Sequence, residues 1–577
     1  MARKRNYQIS KRWNVGTADK VFASSHFSGD FIKLLAQRGL TSEQEALDFI
    51  NPKYSDLSDP FDLPDMDKAV NAVLKALENN DKIAIYGDYD VDGVTATALL
   101  SEFFRRIGRE TINYIPSRVD EGYGLNIEAL TILAKQGVRL IITVDCGSTS
   151  FDVIDKANEL GISVVVTDHH VLREEEGKMT IPTAVAVVNP KRMKPDCPLY
   201  ELAGVSVAFY LVRALQSRME GKYPQGQEKW LLDLVCLGTV CDIVPLIGEN
   251  RILAKYGLSV LAKTRRVGIK ALAQIAEVNL DFIDSYKIGF LLGPRLNAAG
   301  RIEHAYAALN LLLTEDNNEA GKLASELDEL NRQRQEITEK IVVEAREMIE
   351  KEGKTQKIYL LSGKDWPAGV VGIVASRLTE EYGRPMLVME DLGTELKGSA
   401  RSVRGFNIIS ALSECGELLG RYGGHAFAAG FSLSKDKFVL LNDKLLQVSE
   451  DRISETDLEP EIDVDLAVTA TSATKEFVEE LSLLEPYGRG NNKPVFLLEK
   501  AKIVEAKLVG NPAVHLKLKV LQDSSTLSGI AFGYGEKLDI VVGNEYDLVV
   551  TFEINEWNMQ KTSEFRLIDI KECVKTN

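Results

Sequence analysis

Three aspartates at alternate positions, Asp88, Asp90 and Asp92, stand between a short apolar run and Gly93 in the stretch Ile83–Leu100, IAIYGDYDVDGVTATALL. The apolar run suits a buried strand and the residues after Gly93 suit a helix, so the acids fall at the carboxyl end of a strand. Carboxylates held this close repel one another and take up protons unless a cation neutralises them, which points to a divalent metal site. A solvated acidic turn would read the same way over so short a spacing, so the site must be completed elsewhere in the chain.

Two further apolar runs complete it. LIITVDCG, Leu140–Gly147, delivers Asp145, and ISVVVTDHH, Ile162–His170, ends on Asp168, His169 and His170. In an open parallel α/β sheet the carboxyl ends of the strands line one crevice, so side chains distant in sequence converge there. A histidine beside an apolar run is commonly structural; two adjacent histidines after an aspartate, in phase with two acidic strand ends, indicate a metal centre. Farther on, WLLDLVCLGTVCDIVPL (Trp230–Leu246) holds Asp233 and Asp242 in apolar surroundings. A buried carboxylate needs a cation or strong donors facing it. Local sequence leaves open which of the two faces the metals.

GDYDVDG, VDCG, TDHH and GTVCDIVPL, in this order and spacing, resemble the successive motifs of the DHH phosphoesterase superfamily; with GPRLNAAGR (Gly293–Arg301) and GGHAFAAGF (Gly423–Phe431) they are similar to those of the RecJ family of single-strand-specific exonucleases. The resemblance runs from about Asp81 to the C-terminus. It implies two metal ions, Mn²⁺ or Mg²⁺, sharing Asp145, one held by Asp88 (or a water in its place) and Asp90, the other by Asp92, His169 and Asp242. His170 would contact the phosphate or assist proton transfer, and Asp168 would orient the histidines. Phosphatase relatives carry a histidine near the first carboxylate of the first motif, where this chain has Tyr86 four residues before Asp90, so Asp88 is the least constrained ligand. The activity implied is 5′ to 3′ exonucleolytic hydrolysis of single-stranded DNA to 5′-mononucleotides, in recombination and repair, with single-strand-binding protein and a RecQ-type helicase as partners.

Phosphate contacts are expected from several loops. Arg118 lies in PSRVDEGYGLN, and the resemblance assigns it to a phosphate opposite the metals. Arg295, Asn297 and Arg301 sit between glycines, where planar guanidinium donors suit phosphate oxygens and where a helix cap with a salt bridge is the alternative. Ser399 and Arg401 in KGSARSV, with Gly424 and His425 in YGGHAFAAG, suit a terminal phosphate that backbone approaches closely.

The rest of the chain has to hold these groups in place. At 577 residues, with 45% hydrophobic and 27% charged, it should divide into several ordinary globular domains. We expect an α/β protein: an N-terminal helical segment (1–68), a DHH domain (69–314), one long amphipathic helix joining two lobes or forming a coiled coil (315–354), a DHH-associated α/β domain (355–453), and an OB-type β-barrel (454–577). On the barrel His515, Lys517 and Lys519 alternate along one strand, facing either nucleic acid or solvent. The net charge of −16 argues against indiscriminate nucleic-acid binding and leaves room for a local basic path. Six cysteines without a CxxC pair fit reduced thiols, and with no apolar run of membrane-spanning length the expectation is a soluble, cytoplasmic monomer associated with the nucleoid. Two other readings compete. A DHH enzyme for short oligonucleotides or cyclic dinucleotides has no use for an extended barrel, and a non-catalytic replication scaffold has none for so much buried charge.

Overall fold

Near-continuous apolar runs between residues 82 and 188 mark strands buried on both faces. They form a five-stranded, all-parallel sheet of β1 (Lys82–Gly87), β2 (Ile112–Tyr114), β3 (Val138–Val144), β4 (Ser163–Thr167) and β5 (Ala186–Val188), in the order β2-β1-β3-β4-β5. The computed structural model describes residues 11–573 apart from 19–20, 119–120, 123, 220, 352, 354, 511, 536–539 and 558–559, so the basic first ten residues lie outside it. Side chains alternate between two cores: Ile83 and Ile85 enter one, Ala84 and Tyr86 the other. The strand order reverses between β1 and β3, which opens a crevice at their carboxyl ends. Helix α1 (Val91–Arg106) leaves β1 there and is buried from Val91 through Phe104, packing against α2 (Gly204–Arg218) and α3 (Leu232–Cys241).

GPRLNAAGR, expected as a loop, is helical: α4 spans Gly293–Ile302 with Pro294 in its first turn. Its glycines serve close packing rather than a turn, since a methyl on Gly293 would strike the Cys241 sulfur and one on Gly300 the Tyr89 carbonyl. The long helix α5 is Asn317–Lys351. Ala320, Ala324 and Leu327 join the core of the first lobe, and Ile341, Val342, Ala345 and Ile349 join that of the second. Its apolar stripe is thereby used within the chain, as a connector. The second lobe is a sheet of β6 (Tyr359–Gly363), β7 (Met386–Asp391), β8 (Glu395–Arg401), β9 (Arg421–His425) and β10 (Ala428–Ser434) in the order β9-β10-β8-β7-β6, with α6 (Ala368–Tyr382) crossing between the parallel strands β6 and β7. Ser399, Arg401, Gly424 and His425, expected on loops, therefore lie on strands.

Tyr54–Leu458, with Gly488–Gly490, make one compact unit; the described parts of Met1–Lys53, Glu459–Tyr487 and Asn491–Asn577 make the other. In the latter, β11 (Phe496–Val509), β12 (His515–Gln522), β13 (Ser525–Ala531), β14 (Glu545–Trp557) and β15 (Gln560–Glu572) close into a barrel through the β11–β14 pairing. Leu516, Leu518 and Val520 point inward, leaving Lys517 and Lys519 on the outer face of β12. The N-terminal residues, expected as a segment of their own, share this core. Arg12–Val15 pair in parallel with Glu461–Val464, and the Trp13 indole donates to Asp569 at 2.8 Å. Helices Gly29–Gln37 and Glu43–Ile50, capped by Ser28 and Ser42, are too short to bury an apolar face alone and place Phe31, Leu34 and Leu35 in the core of the barrel unit. Among the described residues no helix is long and apolar enough to cross a membrane. Because Phe31 is fully buried in that shared core, Phe31→Ala should cost about 3–5 kcal/mol. An unchanged denaturation midpoint in urea would show that the N-terminal helices are dispensable to it.

Candidate metal centre and arginine wall

Each ligand candidate is placed by a strand or helix end. Asp88 follows β1 directly, and Asp90 is the N-cap of α1, its Oδ1 accepting from the amides of Asp92 (2.9 Å) and Gly93 (3.2 Å). Asp92, in the first turn of the same helix, accepts from the first amides of α2: Gly204 N to Oδ2 at 2.6 Å and Val205 N to Oδ1 at 2.8 Å. Gly204 permits this approach, since a Cβ there would lie 2.6 Å from Asp145 Oδ1. Asp145 sits just past β3 with φ of 61°, a left-handed conformation that side chains adopt only where the surroundings impose it. Asp242 caps the carboxyl end of α3.

These groups converge. Ligand atoms of Asp88, Asp90 and Asp145 lie within 4.8 Å of one another, as do those of Asp92, His169 and Asp242, and those of Asp145, His169 and His170. His169 Nε2 is 3.1 Å from Asp145 Oδ1, 3.6 Å from Asp242 Oδ2 and 3.7 Å from Asp92 Oδ2. Asp145 belongs to two of these triads, and His169 ties the third to it.

Burial, and then the neighbouring carboxylates, push the Asp88, Asp145 and Asp242 carboxyls well above the ordinary range; for Asp92 burial and Asp90 raise it to about 7. His169 moves the other way, to about 3, through burial and the charge of His170. A neutral imidazole among crowded carboxylates is a ligand set suited to a hard divalent cation. Asp88 Oδ1 and His169 Nε2 are buried with no hydrogen-bond partner among the described residues, which leaves two metal-ligating atoms in the cluster. The residues present therefore fit a pair of Mn²⁺ or Mg²⁺ ions.

Around the ligands lies a shell that fixes them. Asp168 accepts from the amides of Ser148 (2.9 Å), His169 (2.7 Å) and His170 (3.1 Å) and from His170 Nδ1 at 2.8 Å. Burial alone would raise Asp168, but these partners hold it below the usual carboxylate range. Burial likewise opposes charge on His170, and the hydrogen bond and charge of Asp168 more than offset it, lifting the imidazole to about 9. Asn189, which the sequence did not single out, donates to Ser148 Oγ at 2.8 Å and to the His170 carbonyl at 2.9 Å. Asp233, the rival of Asp242, is structural: it accepts from Thr264 Oγ1 at 2.7 Å and pairs with the buried Arg266 at 3.1 Å.

A second set of like charges lies in the same unit. Arg118 stacks over the Tyr89 ring at 5.0 Å, and Tyr89 stands between Asp88 and Asp90. Arg301 donates to the Gly369 carbonyl at 2.9 Å and is lowered to about 10 by burial and then by Arg118 and Arg334. Arg401, on β8, is lowered by burial and by Arg118. A Cβ on Gly372 of α6 would meet its Nη2 at 3.2 Å and Ser399 Oγ at 3.3 Å. Among the described residues none of Arg118, Arg301, Arg334 and Arg401 is in an ion pair.

Arg334 on α5 is the member that sequence reasoning missed. Its Nη2 donates to Asn331 at 2.9 Å while its buried Nε has no hydrogen-bond partner among the described residues. Nothing distinguishes it in sequence from the solvated Arg332 two residues earlier. Two expected phosphate ligands are spoken for elsewhere. Arg295 is held by Asp328 at 2.9 Å and the Leu291 carbonyl at 2.7 Å, the salt-bridge alternative. Asn297 Oδ1 accepts from Val91 N at 3.1 Å, so it fixes the first turn of α1. His425 is exposed on β9, and Gly424, with φ of 145°, leaves no room for a Cβ against the Ala428 carbonyl.

The pKa shifts set a sign for stability. Carboxyls raised in the fold stabilise it at low pH and lose that contribution as they ionise; His170, raised to about 9, does the same in its own range. His169, lowered from 6.5 to about 3, acts oppositely but is already neutral above pH 6.5. From pH 6.5 to about 9 the shifted groups of the cluster act together, so the metal-free protein should unfold at progressively lower temperature as pH rises, and Mn²⁺ should suppress the trend. Thermal unfolding in chelator and in Mn²⁺ tests this; a metal-free midpoint that stays level or rises contradicts it.

Comparison with known proteins agrees with this geometry. Family models described as the DHH family N-terminal domain, the DHHA1 domain and the RecJ OB domain match residues 82–239, 354–455 and 464–569. The chain is 37% identical over 567 residues to the single-stranded-DNA-specific exonuclease RecJ of Bacillus subtilis, covering 97% of this chain and 70% of that protein. To the Escherichia coli protein of the same name it is 34% identical, covering 93% and 95%. Among solved structures, RecJ of Thermus thermophilus in complex with Mn²⁺ superposes with a TM-score of 0.83 at 28% identity, over 98% of this chain and 80% of that one. Its Mg²⁺ complex gives 0.78. With three successive family matches and these relatives along nearly its whole length, the chain belongs to the RecJ family of DHH phosphoesterases.

Proposed function

We propose that this chain is a single-stranded-DNA-specific exonuclease that hydrolyses DNA from the 5′ end, releases 5′-mononucleotides and serves recombination and repair. The observation that carries this is the pairing, within one unit, of a buried acid and imidazole cluster with an arginine cluster that is in no ion pair among the described residues. Each is costly alone; a phosphodiester strand bound with divalent cations settles both.

Asp88, Asp90 and Asp145 would hold one ion, and Asp145, Asp92, His169 and Asp242 the other. Two Mn²⁺ or Mg²⁺ ions, when bound, supply an activated water and neutralise charge on the phosphate being cut. The chain's own groups do the rest. Asp168 keeps His170 charged, so its imidazole can donate to a phosphate oxygen or pass a proton to the leaving oxygen. Arg118, Arg301 and Arg334 offer planar donors to the phosphates next to the metals. Ser399, Arg401, Gly424 and His425 would take the terminal 5′-phosphate, whose distance from the cluster then fixes a one-nucleotide step. The 5′ to 3′ direction rests on that terminal pocket. The barrel, with Lys517 and Lys519 outward on one strand, favours a long strand over short oligonucleotides. Single-strand-binding protein and a RecQ-type helicase are fitting partners because both supply unpaired strand. Free cysteines at all six positions suit a reducing cytoplasm.

End-labelled strands test the activity. The 5′ label should appear first as mononucleotide, closed single-stranded circles should resist, and Asp145→Ala should abolish cutting because it removes the carboxylate proposed to serve both ions. Rapid cutting of circles, or near-normal turnover by Asp145→Ala, would defeat the proposal. The terminal pocket has its own test. Arg401→Ala should weaken binding of 5′-phosphorylated strands by about 1.5–3 kcal/mol, leave Mn²⁺ affinity unchanged and affect 5′-hydroxyl strands much less. Equal losses on both strands would place Arg401 outside it.

A further inference from the structure

Past the terminal-phosphate residues, the same face of the second lobe's sheet stays open. Cross-strand register aligns Arg401, Ala428 and His425 in one row, Ser399, Gly430 and Gly423 in the next, and Lys397, Ser432 and Arg421 in a third. Residues directly opposed across strands project to one face, and alternate residues along a strand share it. Helix α6 covers this face at Ser399 and Arg401, and its first turn continues along the groove. Beginning at Ser399 lies a cavity of about 990 Å³ with Ala368 of α6 on one side and the Gly423 and Gly430 peptides as its floor; its far end carries the cations Lys397 and Arg421, with Ser432, and one carboxylate, Glu395.

The two glycines of the middle row are required by neither backbone nor packing. Neither has a left-handed φ, and a Cβ on either would meet nothing within 4 Å. What their bareness provides is a flat peptide floor. At its far edge Ser432 is 9% exposed, its hydroxyl has no hydrogen-bond partner among the described residues, and Lys397 and Arg421 beside it are in no ion pair there. A planar group can lie on the floor while these three take an anion. The rows are two residues apart along the strand, about 7 Å, a length comparable to one extended nucleotide.

We infer that this groove is a subsite for one nucleotide lying 5′ of the phosphate held by Ser399 and Arg401, so the enzyme can seat a strand one step further in and release a dinucleotide. The inference rests on the reading of those two residues as the terminal-phosphate site. In this register the water oxygen bonds to the phosphorus of the second linkage and the bond from that phosphorus to the 3′ oxygen breaks. The dinucleotide leaves with a 3′-hydroxyl and the remaining strand keeps a 5′-phosphate.

Strands whose first linkage carries a methylene in place of the 3′ oxygen cannot be cut there, yet retain the charge. The wild-type protein with Mn²⁺ should release the blocked dinucleotide from them. Lys397→Ala/Arg421→Ala, which removes exposed side chains, should lower that release by roughly tenfold or more while mononucleotide release from unmodified strands stays within about twofold. Gly430→Val, which fills the floor, should act in the same direction. Absence of the dinucleotide with wild-type protein, or its release by the double variant at the wild-type rate or in fixed proportion to mononucleotide, would overturn the subsite. If instead Arg401→Ala leaves both products unchanged, it is the terminal-phosphate reading that fails.

Discussion

Mutual repulsion among Asp88, Asp90, Asp92, Asp145 and Asp242, held in largely buried positions, is the constraint on which the catalytic unit depends. In its ionised form such a cluster is tolerable only with cations, and the fold holds the acids in place for them. Backbone amides do much of this. Asp90 is held by the first turn of α1 and Asp92 by the first turn of α2, so two helix N-termini direct their donors and their dipoles at the acids. Gly204 lets α2 begin against both Asp92 and Asp145, and this contact sets where the helix sits.

The arginine wall is the electrostatic counterpart. Arg301, Arg334 and Arg401 are depressed by burial, and Arg301 and Arg401 also by the charge of Arg118. Arg301 links the two lobes by donating to the Gly369 carbonyl, and α5, which carries Arg334, contributes side chains to both cores. Charge of one sign is thereby concentrated on each side.

How much of this was legible in the sequence depended on whether a residue's reason was local. Three apolar runs ending in acids or imidazoles announced both the parallel sheet and the crevice, because strand burial and strand-end chemistry are written within a few residues. Local sequence could not tell Asp233 from Asp242, which only the motif resemblance separated, since their fates turn on Thr264 and Arg266 for the one and His169 for the other. Gly293 and Gly300 looked like loop residues because a glycine serving helix contact leaves the same letter as one serving a turn. Arg295 and Asn297 had the right chemistry but face Asp328 and the start of α1. Arg334 sat unseen among the charged positions of an amphipathic helix. The pairing of Arg12–Val15 with Glu461–Val464 has no local signature whatever.

The glycines of the second lobe carry the same distinction further. Gly424 has a backbone reason, a φ of 145° and a carbonyl where its Cβ would be, whereas Gly423 and Gly430 have none within the folded chain. A side chain at either would cost nothing in packing and would reduce the conformational entropy lost on folding, so bareness there runs against stability. Residues kept against local stability mark places where something other than the fold sets the requirement. In the first lobe the same sign is the left-handed Asp145 and the crowded acids around it; in the second it is an open floor edged by Lys397 and Arg421.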